Sequence, residues 1–140
     1  MPYIRVTHIW TDDNGMIQIE IQASNGTLVA AQDFYVYPET IIRFCKALAE
    51  FPFIQNNKAC LEYGADPKYY CHFCLSAVLL NSQGHSAFKL QFNNRLAPPL
   101  KAEGAFHIAC EAATINKFSK KLLHWLENQE TALLFEWCNT

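Results

Sequence analysis

Cys71-His-Phe-Cys74 is the first stretch of this 140-residue chain whose residue types and spacing could do chemistry. Cys-x-x-Cys is a common zinc ligand pair and, at a helix start, a common redox pair. Its surroundings argue against both. The motif sits in an apolar run, Tyr69 to Leu80, that reads as a strand, and strand residues three apart point to opposite faces. No glycine supplies a knuckle, no second Cys-x-x-Cys completes a site, and no helix start follows to stabilise a thiolate. His107-Ile-Ala-Cys110 has no orienting third group and makes no dyad.

The histidines are better placed. Alternation puts His72 and His107 on the second, polar face of a sheet, with Glu20, Tyr35, Tyr70 and Lys89 as the other candidate partner-binding residues. Arg5, Gln18, Gln22, Gln91, Lys101 and Glu103 belong to the same face. It reads as a binding surface or a shallow acid–base pocket, or as the wet side of any antiparallel sheet. No catalytic residue is assigned, because no nucleophile has a recognisable base. Neither the dinucleotide-binding glycine pattern nor the P-loop is present. No cofactor and no metal are expected.

The elements that position these residues are legible. Ile4, Val6, His8 and Trp10 alternate with polar neighbours, and Asp12-Asp-Asn-Gly15 turns that strand back. Ile17, Ile19 and Ile21 face one side of a second strand. Asn25-Gly26 turns into a third, about Thr27 to Tyr37. Pro38 suits the first turn of a helix whose Ile41, Phe44, Leu48 and Phe51 form one apolar stripe. A short strand, Ala59 to Gly64, then Tyr69 to Leu80, Ser86 to Asn93 and Leu100 to Ala109 make a meander. Thr114 reads as the cap of a second helix carrying Ile115, Phe118, Leu122 and Trp125, and Leu133 to Trp137 as a last strand or packed tail.

The two strand–helix passages echo each other. Phe34/Phe106 and Val36/Ile108 match in the strands, and Thr40/Thr114, Ile41/Ile115, Phe44/Phe118, Leu48/Leu122 and Phe51/Trp125 in the helices. The expected fold is α+β: one curved, mainly antiparallel sheet of about six or seven strands with two helices on one face, built as two βββα-like units in series. Residues 1–140 read as one domain, with the pseudo-repeat over about 3–51 and 69–128.

Composition narrows the classes further. The chain is 51% hydrophobic and 14% aromatic, which is globular. No apolar run approaches bilayer-spanning length, so no membrane is expected. The opening Met1-Pro-Tyr-Ile-Arg-Val-Thr7 lacks the regions of a secretory signal, so the six cysteines read as reduced cytoplasmic thiols. A net charge of −2 offers little counterion release. Lys117, Lys120 and Lys121 form the only basic cluster, so no nucleic-acid partner is expected. Tyr35, Tyr37, Tyr69 and Tyr70 read either as interface anchors or as core-edge residues with wet hydroxyls.

The order Ile17-x-Ile-x-Ile21, Phe34-Tyr-Val-Tyr37, Phe44-x-x-x-Leu48, a meander and Phe118-x-x-x-Leu122 resembles small bacterial orphan proteins that include the WapI-like immunity proteins of polymorphic toxin systems. The resemblance implies a cytoplasmic, non-enzymatic module that binds a protein partner such as a toxin domain, and it transfers no binding residue. The alternative expectation is a small-molecule binder or enzyme with its pocket around His72 and His107. A homodimer through an open sheet edge also fits.

Overall fold

The structure, a computed structural model, describes residues 1–53 and 59–138. Three strands, β1 (Tyr3–Thr11), β2 (Ile17–Ser24) and β3 (Val29–Val36), lead into helix α1 (Pro38–Glu50). Four more follow: β4 (Cys60–Tyr63), β5 (His72–Leu79), β6 (His85–Asn93) and β7 (Glu103–Glu111). Helix α2 (Ala112–Glu127) and strand β8 (Ala132–Glu136) complete the order.

The α+β class and the antiparallel pairing are as expected. Among the described residues the strands number eight and divide into two four-stranded sheets, ordered β3-β2-β1-β8 and β4-β5-β6-β7, in place of one sheet. The division falls where α1 interrupts the meander: β4 pairs with β5, and the last strand returns to the first sheet by pairing with β1 from Tyr3↔Glu136 to Thr7↔Ala132. Among the described residues no helix is long and apolar enough to cross a membrane.

Period-two alternation decides which face each sheet buries. Ile17, Ile19 and Ile21 of β2 are buried, while Gln18, Glu20 and Gln22 lie outward and half-buried. Phe73, Leu75 and Ala77 of β5 and Phe88 and Leu90 of β6 do the same for the second sheet. The inner faces meet directly. Phe34 of β3 stacks on Phe73 of β5 with ring centroids 4.9 Å apart. At the other side of the core Phe118 of α2 meets Phe88 edge-on at 5.4 Å and Phe135 of β8 at 5.3 Å. The two sheets and both helices thus share one cluster of buried side chains.

Both helices start without a side-chain cap. Pro38 occupies the first turn of α1 as expected, but Thr40 is inside the helix, its N–H bonded to the Tyr37 carbonyl at 3.0 Å. Helix α2 begins straight from β7 at Ala112, with Glu111 in the cap position, so Thr114 is not the cap. The strand runs into the helix with no turn between them, leaving no position for a capping hydroxyl. Leu79, in alternation with the inward Phe73, Leu75 and Ala77, is nevertheless 47% exposed, because it lies at the end of β5.

The helices are joined by polar contacts at a seam. Ser119 Oγ donates to the Cys45 carbonyl at 3.0 Å. Asn116 Nδ2 donates to the carbonyls of Leu48 and Phe51, both at 2.9 Å. These carbonyls lie at the end of α1, where main-chain acceptors run short of helical donors, although the Leu48 carbonyl also accepts from the Phe51 N–H at 3.3 Å. Rising numbers on α2 meet falling numbers on α1, so the helices are antiparallel.

A second lock holds the loop before β5. Arg95, in a left-handed conformation (φ 55°), donates to the carbonyls of Gly64 at 2.7 Å, Asp66 at 2.9 Å, Tyr69 at 3.0 Å and Cys71 at 3.4 Å. Gly64 (φ +78°) makes this close approach, since a Cβ there would collide with the Cys71 carbonyl. No sequence motif announces Arg95, because its partners are main-chain oxygens.

Phe44 and Phe118 are 3% and 0% exposed; replacing either by Ala should cost about 3–5 kcal/mol in a denaturant melt. Arg95→Lys should cost about 1–3 kcal/mol, because an ammonium cannot reproduce the planar fork. Amide exchange over residues 64–71 should then accelerate while the core strands stay protected. Unchanged exchange in that loop would show that Arg95 does not order it.

Candidate functional site

The six surface residues expected to share one face lie on two sheets. Glu20 and Tyr35 occupy the outer face of the first sheet, where Glu20 stands opposite Asp33 and Tyr35 opposite Gln18. His72, Lys89 and His107 occupy the outer face of the second, with Lys89 directly opposite His107. Tyr70 lies just before β5, and its hydroxyl donates to the Asp33 carbonyl at 2.9 Å, bridging towards the first sheet. The division of the sheet therefore separates Glu20 and Tyr35 from the two histidines.

The histidines themselves do not converge. His72 is on β5 and His107 on β7, with β6 between them. His72 Nε2 lies 2.9 Å from Glu62 Oε2. No group of three or more metal-ligating side chains forms among the described residues. Two cavities among the described residues are lined by other side chains than these histidines. One, of about 690 Å³, lies between the first hairpin and the helices, lined by His8, Ile17, Ile42, Trp125, Glu127 and Glu130. Trp125 is 2% exposed, and its indole N–H finds no partner. A second, of about 640 Å³, lies at the meeting of β2–β3 with the loop after β4 and is lined by Tyr35, Tyr63, Tyr69, Glu62 and Asp66. Tyr63 packs against both Tyr69 and Tyr70, at 5.4 Å each.

The Cys-x-x-Cys residues diverge, as strand geometry requires. Cys71 faces the core, its Sγ 3.8 Å from the Asp33 carbonyl, and burial pushes its thiol up to about 11. Burial likewise pushes Cys45 and Cys110 up to about 12. Cys74 points outward and meets Cys60 of β4 with the sulfurs 2.9 Å apart. Its thiol is pushed up by that hydrogen bond first and by burial second. Spacing within the sequence pairs Cys74 with the wrong cysteine, because the partner arrives from a neighbouring strand.

The helices concentrate positive charge. Five of the eleven Lys and Arg residues fall in α1 and α2, against three of the thirteen carboxylates, so the helix pair is positive on a chain that is negative overall. Lys117, Lys120, Lys121 and His124 form the outer stripe of α2, all exposed. Arg43 and Lys46 are exposed on α1, between Glu39 and Glu50 near its ends. The seam brings the two sets together. Cys45 and Ser119 meet there, and the next residue on each helix, Lys46 and Lys120, lies one 100° step outward. Among the described residues no carboxylate forms an ion pair with any of the five; the ion pairs there involve Lys68, His72, Lys101 and His124. The three lysines of α2 were legible as a cluster, whereas Arg43 and Lys46 joined them only through helix packing.

No family model and no curated protein matches this chain. Two solved structures are similar to it in outline. The structure of the plant transcriptional regulator PBF-2 is 12% identical with a TM-score of 0.46, covering 94% of this chain and 80% of its own. WHY3 from Arabidopsis thaliana is also 12% identical with a TM-score of 0.46, covering 89% and 78%. At these values the likeness assigns this chain no function. Neither of these two is an immunity protein, and the expectation of a toxin-neutralising protein-binding module is withdrawn. The exclusion of nucleic acid is withdrawn on a different ground. That exclusion weighed the charge of the whole chain, whereas a polyanion meets one surface, and the helix pair concentrates cations there.

Proposed function

We propose that this protein binds nucleic acid through the phosphate backbone, on the outer face of the α1–α2 pair. The observation that carries this reading is the set of Arg43, Lys46, Lys117, Lys120 and Lys121, exposed on two antiparallel helices and held by no carboxylate among the described residues. Cations not neutralised by carboxylates exchange small counterions for phosphates, and the release of condensed ions drives association. Contacts of this kind set position without reading sequence. No reaction is assigned: His72 is engaged with Glu62, and a full strand separates it from His107.

An anionic membrane surface offers the same charge, but an interfacial helix also inserts apolar side chains. Here the apolar stripes, Ile41, Phe44 and Leu48 on α1 and Ile115, Phe118 and Leu122 on α2, are spent on the core.

Fluorescence anisotropy with a labelled mixed-sequence oligonucleotide, single-stranded and as a duplex, tests the reading. Affinity should fall steeply with salt and vary little with base sequence. The combined Lys117→Gln, Lys120→Gln and Lys121→Gln variant should flatten the log–log salt slope by about 2 for a single strand, at about 0.7 per phosphate contact. These positions are exposed, so the variant should keep its melting midpoint. Absence of binding at low salt, an unchanged slope in the variant, or binding to phosphatidylserine vesicles but not to either oligonucleotide would overturn it.

A further inference from the structure

We infer that Cys60 and Cys74 are a redox-reactive cross-strand pair, a modification site at which a small-molecule disulfide such as oxidised glutathione leaves an intramolecular disulfide. The inference stands apart from the helix face, on a different surface and on different residues.

Four observations carry it. The two sulfurs are 2.9 Å apart, inside the sum of their van der Waals radii, so closure to a bond of about 2.0 Å takes less than an ångström of movement. The ladder accounts for their meeting: Cys60 pairs with Ser76 and Glu62 with Cys74, which makes Cys60 and Cys74 diagonal neighbours on the outer face of adjacent strands. β4 is a four-residue strand at the edge of its sheet, paired with β5 among the described strands, so it can give by the small amount closure needs. Access is asymmetric. Cys60 is exposed and Cys74 is 6% exposed, the arrangement of an attacking thiol beside a sheltered resolving one.

The chemistry balances without a further reactant. The Cys60 thiolate attacks one sulfur of oxidised glutathione, whose disulfide breaks, and one glutathione leaves as its thiolate. The Cys74 thiol then loses its proton and attacks Cys60 Sγ; the mixed disulfide breaks, the Cys60–Cys74 bond forms and the second glutathione leaves. Two electrons pass from the two protein thiols to the glutathione disulfide. Cys45, Cys71 and Cys110 are buried and do not compete; Cys138 is exposed and is removed as Cys138→Ser for the test.

The folded full chain carrying Cys138→Ser is incubated with oxidised glutathione, alkylated and mapped by mass spectrometry. The expected product has two fewer alkylatable thiols, a linked peptide pair joining Cys60 to Cys74 and no retained glutathione. Adding Cys74→Ser should instead trap one glutathione on Cys60, and adding Cys60→Ser should slow reaction at Cys74 at least tenfold. Circular dichroism of each variant shows whether the fold is kept, and the mapping of the parent chain is decisive by itself. A parent chain that retains glutathione on Cys60, links other cysteines, or stays fully reduced while free cysteine in the same buffer is oxidised overturns the inference.

Discussion

Everything else in this structure follows from one constraint: two four-stranded sheets, each with one apolar face, must bury those faces against the same pair of helices. The Phe34–Phe73 stack closes the sheets on one another at one side of the core, and Phe118 is wedged between Phe88 and Phe135 at the other. Residues so packed tolerate little volume change. The outer faces of the sheets and helices are left to meet water or a partner.

The helix seam converts this packing into an electrostatic surface. Asn116 and Ser119 donate to carbonyls of α1, and that main-chain recognition sets both the antiparallel order and the level at which the helices meet. Lys46 and Lys120 follow outward from it. Cations brought side by side repel one another, and no carboxylate among the described residues answers them. Burial of the apolar stripes in the core outweighs that repulsion.

The sites illustrate how far alternation carries. Placing His72 and His107 on a polar face was sound, because period two is a local property. Joining them to Glu20 and Tyr35 failed, because which strands share a sheet is not local: the return of β8 to β1 and the fresh start at β4 divide the faces. The Cys71–Cys74 divergence was read correctly for the same local reason. The approach of Cys60 was invisible, since β4–β5 register is decided by Leu61 facing Leu75 and Tyr63 facing Phe73 in the core.

By itself the sequence determined the α+β class, the inward residues of the strands and the apolar stripes of both helices, because these depend on periods of 2 and 3.6 residues and on turns such as Asn25-Gly26. The reading of Thr114 as a cap failed at that same level, since β7 runs on into α2. Tertiary structure alone decided the number of sheets, the carbonyl lock of Arg95, the meeting of Cys60 with Cys74 and the assembly of five cations from two helices. Each of these joins residues far apart in the chain through main-chain atoms or shared burial, and neither leaves a periodic trace in the sequence.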